Sequence, residues 1–240
     1  MERRFESELK TLKSRILEMG GYVEQAIDVA TEALHERSAS KLDNVHPLER
    51  KINEAHVLID NQCVELLARQ SPFAADLRLV IAIIKINTDL ERMGDQAVNI
   101  SYNAEHYLKD RRIDLADDLA KMALAVKAMV RNSLDAFMKQ DTNLAQSVLE
   151  ADDEVDAYKR KMFDQLLPHM KQSPELVESA LDLILIARNL ERMGDHATNI
   201  AEDVIFACTG EDVRHGGGTS GHGSGGTGGS GGGGQTSGGI

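Results

Sequence analysis

The chain has 240 residues, 42% hydrophobic and 28% charged, enough for one large or two small folded domains. Aromatic residues make up only 4% and Trp is absent, while Ala, Leu, Met, Glu and Lys abound, a mixture that favours helix over sheet. The formal net charge of -12 and the lack of any dense Lys/Arg cluster exclude a nucleic-acid partner. Cys63 and Cys208 form no CxxC pair, which argues for reduced thiols in a cytoplasmic protein rather than a zinc site or disulfide framework.

The amino terminus, Met1-Glu2-Arg3-Arg4-Phe5-Glu6, runs straight into a charged helical pattern and has none of the marks of a signal peptide. The longest apolar run, Leu79 to Ile86, contains Lys85 and is too short to cross a bilayer. Any membrane association is therefore expected to be peripheral, through partners.

Apolar periodicity of 3.6 residues predicts six long helices, near 5–36, 40–69, 73–107, 113–139, 143–170 and 174–207. Helices of about 30 residues extend about 45 Å, which implies an elongated bundle. Gly20-Gly21 interrupts the first pattern, and close helix packing or a mild kink accounts for it. Pro47 kinks the second helix or marks its true start. Ser71-Pro72 and Ser173-Pro174 each read as a helix start, with Ser as cap and Pro in the first position. The stretch from His215 to Ile240 is nearly all Gly, Ser and Thr and reads as a disordered tail. Its Gly228-Gly229-Ser230-Gly231-Gly232 and His215-Gly216-Gly217-Gly218 mimic hydrolase motifs, but lack the strand-turn-helix setting that gives those motifs chemistry.

Leu90-Glu91-Arg92-Met93-Gly94-Asp95 recurs 100 residues later as Leu190-Glu191-Arg192-Met193-Gly194-Asp195. The match continues through Ala97/Ala197, Asn99/Asn199 and Ile100/Ile200, and the Ser-Pro pairs repeat with a spacing of 102. A repeat of that size is a whole domain. The fold is therefore expected to be all-α, two tandem, pseudo-symmetric three-helix bundles of antiparallel helices. The first spans 1–108 and the second 109–214, followed by the tail at 215–240.

Residues four apart share a helix face. Glu91, Asp95 and Asn99 form one stripe of oxygen ligands, and Glu191, Asp195 and Asn199 form another. Like charges at that spacing repel, and Arg92 and Arg192 lie off the stripe, so a bound cation would relieve the strain. The preceding helices offer Glu49 and Asn53, with Asp60 further along, and Asp152 and Asp156. All-oxygen sets suit Mg²⁺, Mn²⁺, Ca²⁺ or iron and argue against zinc. A solvated acidic face is the plain alternative; the duplication of the stripe, with acids facing it on both partner helices, favours ligation. Gly94 and Gly194 point to tight packing, Met93 and Met193 to the core, and His196 to a surface or packing role. No P-loop, dinucleotide fingerprint or Ser-His-Asp set is present, so the chain is not read as an enzyme. Glu32-x-x-His35 is the single Glu-x-x-His pair, which weakens a ferritin-like di-iron reading.

The repeated Glu-Arg-Met-Gly-Asp with its downstream Asn-Ile resembles the signature of the PhoU family, accessory proteins of phosphate-specific transport. The resemblance covers about residues 5 to 215 and includes Met19-Gly20-Gly21 with Val23-Glu24, Asp76-Leu77-Arg78 and Arg214-His215. It implies six helices in two symmetric bundles and, in some members, iron or other metals on the acidic faces. Carried over by position, the first site uses Glu49, Asn53, Glu91, Asp95 and Asn99, and the second Asp152, Asp156, Glu191, Asp195 and Asn199. Iron, manganese or magnesium are the metals implied. Because Asn53 stands where the other half has Asp156, the first site is one charge poorer and is expected to bind more weakly. The resemblance further implies a cytoplasmic, homodimeric negative regulator of phosphate uptake. It would contact the phosphate ABC transporter on its ATPase side and a sensor histidine kinase. A carboxylate-cluster metal-storage or redox protein is the alternative function.

Overall fold

The computed structural model describes residues 2–109 and 113–213; the Gly-rich stretch and Arg214-His215 lie outside the described residues. Six long helices occupy them: α1 Glu2–Glu36, α2 Val45–Gln70, α3 Ala75–Lys109, α4 Ala116–Lys139, α5 Thr142–Gln172 and α6 Val177–Thr209. A 3₁₀ turn, Ala39–Asn44, leads into α2, and another, Pro174–Leu176, leads into α6. No strand occurs among the described residues, as expected for an all-α chain.

The buried positions of α3 explain its place at the centre. Leu79, Ile83, Ile86, Leu90, Met93, Ala97, Ile100, Ala104 and Tyr107 recur at alternating spacings of four and three, and every one is buried. A second buried stripe, Val80, Asn87, Gly94 and Ser101, recurs every seven residues. Two stripes require two packing partners. α3 packs on α1 and α2 within its own bundle and on α6 across the molecule; α6 likewise packs on α4, α5 and α3. α1 and α4 meet on the far side, so two three-helix bundles share one continuous core.

The glycines divide as close packing requires. α1 runs unbroken through Gly20-Gly21. A Cβ at Gly20 would lie 2.1 Å from Leu134 Cδ1 of α4, so close packing explains this residue. Gly210 ends α6 in the left-handed region, at φ 80°, and its amide closes on the Phe206 carbonyl at 2.8 Å. Met93 and Met193 are fully buried.

Two helix starts differ from expectation. Ser71 ends α2 in the left-handed region at φ 46°, and α3 begins only at Ala75. Pro72 disfavours helical backbone at the residue before it, and here Ser71 leaves the helix, which ends α2 rather than starting α3. Pro174 does open a helical turn, but Ser173 makes no side-chain cap. Pro47 lies in the first turn of α2 and marks its start. Asp141 is a true cap, its Oδ1 accepting from the amides of Asn143 and Leu144, both at 3.0 Å. Both cysteines are free. No helix among the described residues is long and apolar enough to cross a membrane.

Candidate functional site

The two acidic stripes run along α3 and α6, where those helices emerge between their outer neighbours α2 and α5. Gly94 faces Ile52 of α2, with a Cβ there placed 3.1 Å from Ile52 Cγ2. Gly194 faces Val155 of α5 at 3.5 Å. These contacts set the correspondence of the halves: Ile52 matches Val155, Glu49 matches Asp152, and Asn53 matches Asp156.

In the second bundle the acids come together. Asp152 Oδ1 lies 3.6 Å from the position of a Cβ on Gly194, which places its carboxylate beside Asp195. Partial burial first, then the charges of Asp156 and Glu191, push the Asp152 carboxyl above its ordinary value. Asp195 is raised the same way, by partial burial and then by Glu191 and Asp152. Four carboxylates thus share one electrostatic neighbourhood. Lys159 stands among them: its Nζ donates to Glu191 Oε1 and, at 3.3 Å, to Asp156 Oδ1. Those partners hold the ammonium above its ordinary pKa, the hydrogen bond to Glu191 leading.

Counting Lys159 changes the charge comparison. Asp152, Asp156, Glu191 and Asp195 carry four negative charges, offset in part by Lys159 and, at Asp156, by Arg160 at 3.3 Å. The first set, Glu49, Glu91 and Asp95, carries three, and His56 occupies the lysine's position. A count of carboxylates alone therefore does not rank the two sets.

The first set is organised differently. Asn53 Nδ2 donates to Glu49 Oε1, while Asn53 Oδ1 is buried with no hydrogen-bond partner. A buried carbonyl-type oxygen without a donor costs free energy, and a hard cation is one group that satisfies it. Asn99 is exposed. The two asparagines of the stripes therefore part ways, because Asn199 Nδ2 donates to Asp89 Oδ1 at 3.3 Å, across the α3–α6 seam. His196 Nδ1 lies 2.9 Å from the same oxygen, so its packing role holds. Asp60 is drawn away from the first set into a link with Asn87 of α3, whose Nδ2 donates to Asp60 Oδ1 at 2.9 Å and to the His56 carbonyl at 3.0 Å.

The donor chemistry of both sets fits hard cations. In the second set burial and mutual repulsion hold two carboxyls high, and in the first Asn53 Oδ1 lacks a donor. Among the described residues, however, no three His, Cys, Asp or Glu side chains converge closely enough to hold a metal ion. Lys159 occupies Asp156 and Glu191, and Asn53 occupies Glu49, so a cation would have to displace these bonds.

Sequence reasoning missed Lys159, although it stands three residues beyond Asp156 in a helix, where a lysine shares the acid's face. It also missed the seam of acid–base pairs joining α3 to α6. Lys85 Nζ lies 3.1 Å from Asp203, His106 Nδ1 2.6 Å from Asp182, and His196 joins Asp89. Asp89, Asp182 and Asp203 interrupt apolar stretches, the one signal of such a seam available without coordinates.

Known proteins resemble the chain over both bundles. The family model described as PhoU domain matches twice, over residues 16–104 and 119–204. A phosphate-specific transport system accessory protein PhoU homolog of Pseudomonas putida is 37% identical over 218 residues, covering 90% of this chain and 85% of that protein. The phosphate-specific transport system accessory protein PhoU of Escherichia coli is 32% identical over 214 residues, covering 89% of each. The crystal structure of PhoU from Pseudomonas aeruginosa superposes with a TM-score of 0.83 at 36% identity, covering 86% of this chain and 100% of that one. That of the regulatory protein PhoU from Streptococcus pneumoniae gives 0.81 at 29% identity, covering 87% and 99%.

Proposed function

This chain is a member of the PhoU family, and from that premise we propose that it is an accessory protein of phosphate transport that restrains phosphate uptake. It acts in the cytoplasm, on the ATPase side of a phosphate ABC transporter, and relays the transporter's state to a sensor histidine kinase. The observation that carries the reading is the extent of the kinship. Relatives named as accessory proteins of the phosphate-specific transport system match about nine-tenths of this chain, through both acidic stripes.

The acid sets are the part of the fold best suited to report a bound ion. Iron, manganese or magnesium held by Glu49, Asn53, Glu91, Asp95 and Asn99, or by Asp152, Asp156, Glu191, Asp195 and Asn199, would cancel repulsion between central and outer helices. That would fix the angle of α2 on α3 and of α5 on α6. Lys159 speaks against a redox or storage centre in the second bundle, because an ammonium paired with Glu191 and Asp156 competes for the carboxylates that would bridge two metals. No catalytic step is assigned to the chain.

The test is phosphate uptake in a bacterium whose own copy has been deleted. Uptake of radiolabelled phosphate from phosphate-rich medium is expected to rise in the deletion strain and to return to the parental rate when this chain is supplied. An uptake rate indifferent to the chain would overturn the reading.

A further inference from the structure

Between α5 and α6 the second bundle carries a groove of about 650 Å³, open to solvent along one side. Its lining runs from Ile184 to Asp195 on α6, roughly 16 Å or three helical turns. The floor is apolar, built from Met162, Phe163, Ile184 and Ala187, and Phe163 remains 49% exposed. A half-exposed phenylalanine beside a long apolar trough marks a surface that gains by being covered.

The charges on its walls are not equally engaged. Lys159 is paired with Glu191 and Asp156, and Arg160 with Asp156 at 3.3 Å. Asp164 stands one turn from Arg160 on α5, and Asp195 belongs to the acid set at the groove's end. Arg188 and Arg192 sit one turn apart on α6, exposed, and neither forms an ion pair among the described residues. In a chain of net charge -12, two adjacent free guanidinium groups beside an apolar trough are a specific feature.

The equivalent seam of the first bundle is built from different residues. Where the second has Phe163, Ala187 and Arg188, the first has Asp60, Asn87 and Thr88. There Asn87 donates to Asp60 and to the His56 carbonyl, tying α2 to α3 across the equivalent seam. The duplicated halves have diverged at the positions that decide whether this seam is closed by a polar bridge or left open and apolar.

We propose that the α5–α6 groove seats an amphipathic helix of a partner protein, its apolar side chains on Phe163, Ile184 and Ala187 and two carboxylates one turn apart on Arg188 and Arg192. The length suits a three-turn helix, and helix-in-groove docking is read through anchors at that spacing. Guanidinium groups favour carboxylates because two N–H donors meet two oxygens. Phe and Arg are also residue types that supply disproportionate binding energy at interface centres. The inference rests on the adaptor reading for the existence of a partner, but its test contains no transporter, so either can fail without the other.

The probe is a synthetic 14-residue helical peptide, about four turns long, with leucines along one face and two glutamates one turn apart beside them. A control peptide carries lysine in place of both glutamates. Each is titrated against the full chain by fluorescence anisotropy. The acidic peptide is expected to bind at least about tenfold more tightly than the basic one, and the Arg188→Glu/Arg192→Glu variant to reverse that preference. Phe163→Ala is expected to weaken the acidic peptide without reversing the preference. All three substitutions are at exposed positions, and a thermal melt verifies that the variants fold. Binding of neither peptide, equal binding of both, or unchanged preference in the double variant would each overturn the proposal. So would a wild-type dimer that the double variant dissolves, since the groove would then be filled by a second copy.

Discussion

The two bundles share a backbone plan, a core and an acidic stripe, yet they handle the seam between outer and central helix in opposite ways. In the first, Asn87 bridges α3 to α2 through Asp60 and the His56 carbonyl, and Gly94 lets the branched Ile52 press against the helix. In the second, Lys159 bridges α5 to α6 by a charged hydrogen bond to Glu191, Gly194 leaves ordinary contact distances, and the seam beyond opens into the groove. A buried amide bridge fixes two helices at one separation. A half-exposed ion pair tolerates several. The two halves thus keep the acids and differ in what surrounds them, and the expectation is that the first bundle is the stiffer half and the second the more adjustable.

Removing the amide bridge is expected to have the largest effect. Asn87→Ala removes both hydrogen bonds that tie α3 to α2, at Asp60 and at the His56 carbonyl, and is expected to cost about 1–3 kcal/mol in chemical denaturation. A loss under a few tenths of a kcal/mol would mean that the first seam is no stiffer than the second.

Next come the paired glycines, where the two halves should respond with opposite sign. Ile52 is fully buried and stiff at its branched carbon. Gly94→Ala, with its new carbon 3.1 Å from Ile52, is expected to destabilise the protein by about 1 kcal/mol or more. Gly194→Ala meets nothing closer than 3.5 Å and is expected to gain up to about 1 kcal/mol from helix propensity. Thermal melts of the two variants read the comparison directly.

The lysine comes third. Lys159→Met removes the positive charge from the second set, and its partial exposure keeps the expected loss to about 1 kcal/mol or less. That loss should shrink when Asp152→Asn is added, because one of the repelling carboxylates is then gone. A double variant no more stable than the single one would contradict the charge accounting.

The smallest effect lies at the seam between bundles. Asp182 holds the His106 imidazolium, raising its pKa above the ordinary 6.5, first by the hydrogen bond and then by charge. Because the folded state binds this proton more tightly than the unfolded chain, the contribution is fully present below pH 6.5 and fades as pH rises through the folded value. His106→Ala should therefore narrow the stability difference between mildly acidic and alkaline pH. Equal pH profiles of wild type and variant would remove His106 from the seam.

Much of this architecture was legible without coordinates, for a physical reason. The repeat around Glu91 and Glu191 and the periodic apolar residues report burial, which every residue of a stripe encodes redundantly. Asp141 as a cap, Asn199 turning to Asp89, and Asn87 reaching Asp60 each depend on one side chain and the neighbour that folding brings to it. Ser71-Pro72 misled because Pro both suits a helix start and disfavours helix before it, and here the second property governs. Asn53 for Asp156 is visible in the stripe, and so is Lys159 three residues beyond Asp156, but its bond to Glu191 arises only once α5 lies against α6.

We propose that both acid sets hold hard cations and couple helix geometry to partner binding. The most direct test titrates Mn²⁺ into tag-free protein, following free Mn²⁺ by its paramagnetic resonance signal, beside Asp95→Asn, Asp195→Asn and the double variant. Uptake by both bundles is expected, with each single variant losing its own share and the double variant losing both. No Mn²⁺ taken up by the wild type, or uptake unchanged in the double variant, would contradict the claim and leave the acids as a solvated face.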